Sequence, residues 1–240
     1  MLIGIEDHMK SIAKRGPDYG VVQCDGRPLW EYLIEGQFIG MFMDEGEMWK
    51  TYRPFEFYLP TDEELKSLKG LLFSGSYLSA HDTSVDWIGN MNAFIKNVYE
   101  NYPHVRMYGG CFGHQAIANA LGGRSGRMEI DTPVMIYRGQ IQFREEFYEL
   151  PFVRNAVGEH KKIGLEYSNN QSGGEMFCLE CHGDEVKEIP PEGRLLASSA
   201  ETKTEVYMVG NRVLCTQAHP DFTSTLLQHL IVNRVKHGEE

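Results

Sequence analysis

The sequence of 240 residues contains no apolar run long enough to cross a lipid bilayer, and its first residues lack the apolar stretch of a secretory signal peptide. Basic residues are also scarce, because 23 lysines and arginines stand against 34 aspartates and glutamates, for a formal net charge of -11. Nucleic acids and anionic membranes both require a basic surface, so we expect neither as a partner. An acidic balance of this kind is typical of an ordinary soluble protein.

Cysteine occurs at only five positions, an odd and low number that does not fit a disulfide framework. We therefore expect a reduced, cytoplasmic protein in which a reactive thiol can persist. Cys178 and Cys181 have the spacing of half a zinc site, but no second ligand pair is near in the sequence, and in a strand the two side chains face opposite sides. We predict neither a metal nor a cofactor. The other cysteines are Cys24, Cys111 and Cys215.

Internal repeats, low-complexity tracts and linkers are absent as well. With 42% hydrophobic residues the chain can form a sizeable core, so we predict one domain over residues 1–240, with 1–18 as a candidate N-terminal extension. The sequence also lacks the phosphate-binding motif G-x-x-x-x-G-K-[ST]. We therefore expect no fused ATP-using synthase within these residues.

What the first half does contain is short apolar runs that alternate with helical patterns, which predicts an α/β fold with a mostly parallel sheet. Thr61 followed by Glu64 has the spacing of a capping box and marks the start of one helix. Predicted strands cover 19–24, 38–43, 68–75 and 105–110, and predicted helices cover 28–36, 85–102 and 112–123.

The second half contains shorter apolar runs separated by turn residues, beginning with VMIYRGQIQFREEFYEL (134–150). These runs predict short strands that extend the same sheet in antiparallel or mixed fashion. Residues 223–238 have leucine, isoleucine and valine at helical spacing, which predicts a closing amphipathic helix.

The strongest chemical signal is YGGCFGHQ (108–115), in which a predicted strand ends at glycines and a helix follows Cys111 at once. This is the pattern of a nucleophile elbow, which exposes a side chain above the sheet edge. The positive end of the helix dipole favours a thiolate there, and the N–H of Phe112 would point to a developing oxyanion. Taken alone, Cys111 could be a buried structural cysteine, but the surrounding glycines favour the elbow.

CTQAHPDF (215–222) supplies the base that a cysteine nucleophile needs. His219 ends a predicted strand, and Asp221 lies two residues on, where an extended chain would place both side chains on one side. An isolated histidine here would more often be a packing or loop residue. Its combination with the elbow favours His219 as general base and Asp221 as the acid that orients the imidazole.

FSGSYLSAHD (73–82) follows a buried strand, and the Gly75–Ser76 turn has N–H groups that could provide a second oxyanion donor. By itself a segment of this kind is more often an ordinary strand-to-helix loop. The sequence pattern alone leaves both interpretations open.

Together YGGCFGHQ and QAHPD resemble the class I glutamine amidotransferases, in which a G-x-C-x-G-x-Q elbow pairs with a His-Pro-Glu segment. The resemblance covers roughly residues 39 to 235. DEGEMWKTY (44–52), ALGGRSGR (120–127) and LECHGDEVKEIPPEGRLLASS (179–199) look like the single-domain plant γ-glutamyl peptidases. The resemblance implies a three-layer α/β/α sandwich around a mixed, mostly parallel sheet, with the site at the carboxyl ends of the parallel strands.

For the site, the resemblance implies a Cys111–His219–Asp221 triad and oxyanion donors from the backbones of Ser76 and Phe112. It also implies that Gly75, Gln115, and the segment containing His182 and Asp184 help to hold a γ-glutamyl group. Two positions depart from the family pattern. Asp221 replaces the usual glutamate and is one methylene shorter, and Gly110 replaces a usually apolar residue before the nucleophile.

Three functions follow as hypotheses. The first is a free-standing hydrolase or peptidase, or a transferase, that acts on a small-molecule γ-glutamyl amide through a thioester. The second is a glutaminase that supplies ammonia to a separate synthase partner. The third is a catalytically weak binding or regulatory relative.

Overall fold

The computed structural model describes residues 16–129, 135–162 and 175–223, together with residues 226 and 228. The predicted N-terminal extension and the predicted closing helix (223–238) therefore lie almost entirely outside the described residues. Within the described residues, no helix is long and apolar enough to span a membrane.

The described residues form eleven strands, six α-helices and one short 3-10 helix at Pro54–Glu56. The strands are β1 Tyr19–Val22, β2 Trp49–Tyr52, β3 Gly70–Phe73, β4 Arg106–Gly110, β5 Arg124–Arg127, β6 Met135–Phe143, β7 Glu175–His182, β8 Asp184–Glu188, β9 Gly193–Ser198, β10 Val206–Val209 and β11 Val213–Thr216. The helices are α1 Pro28–Phe42, α2 Asp62–Ser67, α3 Asp86–Asn101, α4 Phe112–Ala120, α5 Glu145–Glu149 and α6 Pro151–Lys162.

Nine of the strands form one sheet in the order β2-β1-β3-β4-β11-β10-β9-β6-β7, and β5 pairs with β8 in a separate two-stranded sheet. The first five strands of that order run parallel to one another, and the remaining pairings are antiparallel. The predicted α/β fold with a mixed sheet is confirmed. Within the nine-stranded sheet four pairings are parallel and four are antiparallel, whereas the sequence predicted a mostly parallel sheet.

Helices cover both faces of the parallel part, because its strands are buried on both sides and alternate residues face opposite layers. On one face, Val22, Leu71 and Met107 pack with apolar residues of α2, α3 and α4. On the other face, Val21, Leu72 and Tyr108 pack against Phe38 of α1 and Leu226. This arrangement is the three-layer sandwich that the resemblance implied.

Several local predictions are confirmed. The Thr61 hydroxyl accepts a hydrogen bond from the Glu64 N–H, and the Glu64 carboxylate accepts one from the Thr61 N–H, so α2 begins with the predicted capping box. Predicted strands at 68–75 and 105–110 correspond to β3 and β4, and the predicted helix at 85–102 corresponds to α3.

Two predictions of secondary structure were wrong. The strand predicted at 38–43 is the last part of α1, in which Phe38 is buried and Met43 is 52% exposed. A short apolar run cannot by itself be assigned to a helix or a strand, and the actual second strand is the half-buried β2. The strand predicted across 134–150 ends at Phe143, and α5 follows at Glu145.

Candidate active site

Cys111 occupies the turn between β4 and α4 in a backbone conformation that only glycine adopts readily, with φ 50° and ψ -106°. The surrounding glycines make this turn sterically possible. A Cβ at Gly113 would lie 2.2 Å from the Phe73 carbonyl oxygen, and one at Gly109 would lie 2.6 Å from the Gly113 carbonyl oxygen. The Cys111 N–H donates to the Thr216 carbonyl oxygen (2.9 Å), which fixes the turn to the end of β11. The strained turn at Cys111 has the features of a nucleophile elbow.

The Cys111 side chain is buried beside the first turn of α4. Phe112 is the first residue of that helix, so its N–H has no acceptor within the helix and is available to a ligand. The next N–H, that of Gly113, donates to the Ser74 carbonyl oxygen (3.1 Å) and links the elbow to the end of β3. The helix N-terminus thus leaves the Phe112 N–H next to the cysteine.

The turn after β3 lies directly against the same cysteine. A Cβ placed on Gly75 would be 3.7 Å from the Cys111 Cβ and 3.5 Å from His219 Cε1, so this glycine borders both side chains. The Ser74 hydroxyl accepts from the Cys24 N–H (2.9 Å) and donates to the Gly75 carbonyl oxygen (3.0 Å). Because a trans peptide points its N–H and C=O in opposite directions, this bond also orients the Ser76 N–H.

His219 follows β11 and meets an acid through one ring nitrogen. Its Nδ1 lies 3.3 Å from Asp221 Oδ1, and both side chains are almost completely buried. The His219 N–H donates to the Leu179 carbonyl oxygen of β7 (2.8 Å). The Phe222 ring stacks on the imidazole with centroids 3.8 Å apart and planes 20° apart. The shorter aspartate therefore reaches the imidazole, which a stacked ring and a backbone bond also hold in place.

The charge of His219 depends on its neighbours. Burial lowers the pKa of the imidazole, but the Cys111 sulfur and the Asp221 carboxylate outweigh it, so the pKa of His219 is raised well above its usual value. The hydrogen bonds to Cys111 and Asp221 act in the same direction. A protonated imidazole next to sulfur is the arrangement that stabilises a thiolate.

The other site residues named by the sequence gather around the Asp184 main chain. Gln115 Nε2 donates to the Asp184 carbonyl oxygen (2.9 Å) and to Gln217 Oε1 (3.0 Å). His182 Nδ1 lies 2.9 Å from the same Asp184 oxygen, and its Nε2 lies 3.2 Å from Glu180 Oε2. Both ring nitrogens of His182 therefore face protein atoms.

The Asp184 carboxylate lies at the border between this network and the surface. Its Oδ1 is 3.3 Å from Arg127 Nη1, and its Oδ2 is 3.8 Å from His81 Nδ1 in the loop that follows the Gly75 turn. Asp184 thus connects β8 to β5 and to that loop.

Sequence reasoning missed four residues of this network: Gln217, Phe222, Glu180 and Arg127. Glu180 carried one usable signal, because it stands between Leu179 and Cys181 in a strand whose neighbours are mostly apolar. A charged residue at an inward position of a strand is unusual and indicates a specific partner. The roles of Gln217 and Phe222 depend on contacts that no local pattern encodes.

The remaining cysteines differ from Cys111 in their surroundings. Burial raises the pKa of the Cys215 thiol to about 12 and that of the Cys178 thiol to about 11, and burial also raises the pKa of Cys24. All five cysteines are free thiols. Among the described residues, no group of three or more histidine, cysteine, aspartate or glutamate side chains is arranged to hold a metal ion.

Fold and site together define a class: open α/β-sheet proteins with a cysteine at a strand–helix elbow and a histidine at the end of the adjacent strand. The family model for "Glutamine amidotransferase class-I" matches residues 50–237, and the chain belongs to this family. "Gamma-glutamyl peptidase 4" of Arabidopsis thaliana is 31% identical over 203 residues, which are 84% of this chain and 72% of the relative. The A subunit of the glutamine-hydrolyzing GMP synthase of Thermococcus kodakarensis is 28% identical over 166 residues, or 68% of this chain and 72% of that protein.

Solved structures share the same architecture. A glutamine amidotransferase from Thermotoga maritima superposes with a TM-score of 0.68 and 13% identity, over 92% of this chain and 84% of the other. At that identity the likeness establishes the fold alone. It agrees with the sheet order and the layers described above.

Proposed function

We propose that this protein hydrolyses or transfers a γ-glutamyl amide through a γ-glutamyl thioester on Cys111. The observation that carries the proposal is the position of the His219 imidazole, which borders Gly75 together with Cys111 and has its Nδ1 3.3 Å from Asp221 Oδ1. A cysteine nucleophile requires a base next to it and an acceptor that orients the base. Relatives named γ-glutamyl peptidases support the choice of a γ-glutamyl substrate.

In the proposed first half-reaction, the thiol proton is on His219, and the Cys111 sulfur attacks the γ-carbonyl carbon. The Ser76 and Phe112 N–H groups donate to the oxyanion of the tetrahedral intermediate. The intermediate then loses its amine as the C–N bond breaks, and His219 returns the proton to the leaving nitrogen. Asp221 stabilises the imidazolium throughout and does not take its proton.

In the second half-reaction, water or an acceptor amino group attacks the thioester carbonyl while His219 removes its proton. The C–S bond breaks, the γ-glutamyl product leaves, and the Cys111 sulfur is restored with the proton on His219. Every proton and bond is accounted for by these groups, so the proposed reaction needs neither ATP nor a metal.

Four further residues are proposed to form or support the substrate pocket. Gly75 leaves space beside Cys111 and His219, where the scissile carbonyl would lie. Gln115 and His182 act through the main chain that they hold, since their nitrogens bond to the Asp184 carbonyl oxygen. Asp184 contributes the wall between this segment and the loop after Gly75. We propose that this wall bounds the pocket for the γ-glutamyl group.

A second candidate function is a glutaminase that supplies ammonia to a separate synthase. The similarity to the GMP synthase A subunit favours it, because that name describes one part of a two-component enzyme. The same Cys111 chemistry on glutamine would produce glutamate and ammonia.

The test is an activity comparison with the purified chain alone. Glutamine, a γ-glutamyl dipeptide and a γ-glutamyl tripeptide are offered separately, and released glutamate is measured, with Cys111→Ala as the matched control. We expect peptide turnover without ATP or added protein, and none in the control.

If glutamine were the one substrate turned over, or if turnover required an added synthase, the glutaminase function would be favoured instead. Release of no glutamate from any substrate would favour the binding or regulatory relative. The cytoplasmic location and the single-domain organisation stay predictions.

A further inference from the structure

We propose that Glu180 is a positioning residue for the Cys111–His219 pair, acting through His182 on the carboxyl end of β7. The proposal rests on the proposed function for its catalytic consequence, but its structural part concerns only how the two side chains are held. Glu180 itself touches neither the thiol nor the imidazole of the pair in the contacts described above.

The end of β7 contacts both members of the pair through its main chain. The Leu179 carbonyl oxygen accepts a hydrogen bond from the His219 N–H at 2.8 Å. The Cys181 carbonyl oxygen lies 3.9 Å from the Cys111 Sγ. Any displacement of this strand end therefore changes the position of the base and the surroundings of the nucleophile together.

Glu180 and His182 anchor this strand end from inside the protein. Because strand residues alternate, the two side chains leave the same face of β7, and both are buried, with 0% and 2% of the side chain exposed. Glu180 Oε2 lies 3.2 Å from His182 Nε2. His182 Nδ1 donates to the Asp184 carbonyl oxygen, since a carbonyl only accepts, and this bond turns the Nε2 edge of the ring toward Glu180.

The opposing strand is shaped for this carboxylate. Tyr137 of β6 pairs with Glu180 in the sheet register, and Gly139 lies two residues further along. A Cβ at Gly139 would lie 2.9 Å from Glu180 Cγ and 3.0 Å from its Oε1. The space that the carboxylate occupies thus exists because residue 139 has no side chain.

Burying this carboxylate is costly, which argues for a role beyond packing. Neither carboxylate oxygen of Glu180 makes a hydrogen bond within the described residues, and the buried Glu205 is close enough to repel it. The charged and titratable groups around the pair are His182 on β7, Glu185 on β8, Tyr137 on β6, His114 on α4, and Glu201 and Glu205 before β10. An apolar residue at position 180 would avoid the cost but would leave the buried His182 Nε2 without its polar neighbour.

The first test compares Glu180→Gln with the wild type, with Glu185→Gln as matched control. Glu185 is also buried, and it pairs with Lys187 at 2.6 Å without contacting β7 in the bonds described above. We expect Glu180→Gln to lower kcat at least about tenfold and to change KM less than kcat, because the displaced strand end contacts Cys111 and His219 directly and the proposed γ-glutamyl pocket only through the Asp184 main chain. Glu185→Gln should leave both parameters near wild type.

The second readout needs no substrate. The rate of Cys111 alkylation by iodoacetamide is measured against pH, and Glu180→Gln should react several-fold more slowly near neutral pH, because a displaced His219 stabilises the thiolate less. This measurement separates the two proposals. If the wild type turned over no γ-glutamyl substrate, the proposed function would fail, yet a slower alkylation in Glu180→Gln would still support positioning.

Gly139→Ala provides a variant that keeps the charge of Glu180 but crowds its carboxylate, and it should lower kcat and the alkylation rate in the same direction. It decides the question if Glu180→Gln does not fold. Wild-type kcat and alkylation in a folded Glu180→Gln, or losses equal to those of Glu185→Gln, would overturn the proposal. Failure of both Glu180→Gln and Gly139→Ala to fold would also overturn it, since the carboxylate would then be purely structural.

Discussion

The parallel and antiparallel halves of the sheet bury different kinds of side chain. In the parallel half the buried acids have cationic partners: Asp25 pairs with Arg27 at 2.6 Å, and Asp18 with Lys69 at 2.9 Å. In the antiparallel half Glu180 and Glu205 are fully buried, and none of their carboxylate oxygens makes a hydrogen bond within the described residues. The parallel half fixes the positions of Cys111 and the Gly75 turn, whereas the antiparallel half places two buried carboxyl groups behind β7. The elbow therefore belongs to one part of the sheet, and the β7 main chain that accepts from the His219 N–H belongs to the other.

The largest effect is expected at the elbow of the parallel half. Cys111→Gly and Cys111→Ala should both reduce turnover of a γ-glutamyl peptide at least about a thousandfold, because each removes the proposed nucleophile. They should differ in stability, since glycine accepts the positive φ of 50° without strain. We expect Cys111→Gly to be more stable than Cys111→Ala by about 1 kcal/mol in urea unfolding. Equal stabilities would show that the elbow stores no strain.

The next largest effect is expected at Asp221, which follows β11 at the end of the parallel half. Asp221→Asn should lower kcat by about a hundredfold or more with KM little changed, because the amide can no longer stabilise the imidazolium. Asp221→Glu should give no gain over wild type, since the aspartate already lies 3.3 Å from His219 Nδ1. Steady-state kinetics on one γ-glutamyl substrate measure both. A mild effect of Asp221→Asn would assign the orienting role to another group.

Thiol reactivity distinguishes the elbow from the rest of the core. Limited iodoacetamide labelling with peptide mapping should modify Cys111 about tenfold or more faster than Cys178, Cys215 or Cys24. Burial raises the pKa of each of those three thiols, so few of them are thiolates near neutral pH. Faster labelling of Cys24 or Cys215 would contradict the elbow assignment.

The smallest effect is a change in stability caused by Glu205, which precedes β10 of the antiparallel half. Burial, and then the charge of Glu180, raise the pKa of Glu205 to about 8 from its usual 4.5. The folded protein therefore holds a proton that the unfolded chain releases, and its stability falls as pH rises from about 4.5 to about 8. Glutamine does not titrate, so Glu205→Gln should raise the free energy of unfolding at pH 8 by about 1–3 kcal/mol.

Urea unfolding at several pH values between 5 and 8 measures this difference, which should shrink as the pH falls. Glu188→Gln is the control, because its carboxylate is exposed and pairs with Arg124. A difference that is constant across this pH range would mean that Glu205 does not hold the proton.

The sequence predicted the parts of the fold and site that depend on local patterns. The elbow could be found because three glycines flank Cys111, and the helix start at Thr61 because capping requires a fixed spacing. The strand predicted at 38–43 was wrong, because a short apolar run inside a helix has no period that distinguishes it from a strand. The contact of Gln115 with Gln217 and the space that Gly139 leaves for Glu180 join residues that are distant in the sequence, so only the tertiary structure could reveal them.

The place of β7 in the sheet has a consequence for how activity fails. β7 is the last strand of the sheet order and pairs only with β6 among the described strands, yet its Leu179 oxygen holds the His219 main chain. Strands at the edge of a sheet open sub-globally at a lower free energy than central strands. We therefore expect the proposed activity to be lost under milder denaturing conditions than those that unfold the central strands. Rising urea should abolish turnover while the far-ultraviolet circular dichroism of the sheet is still native.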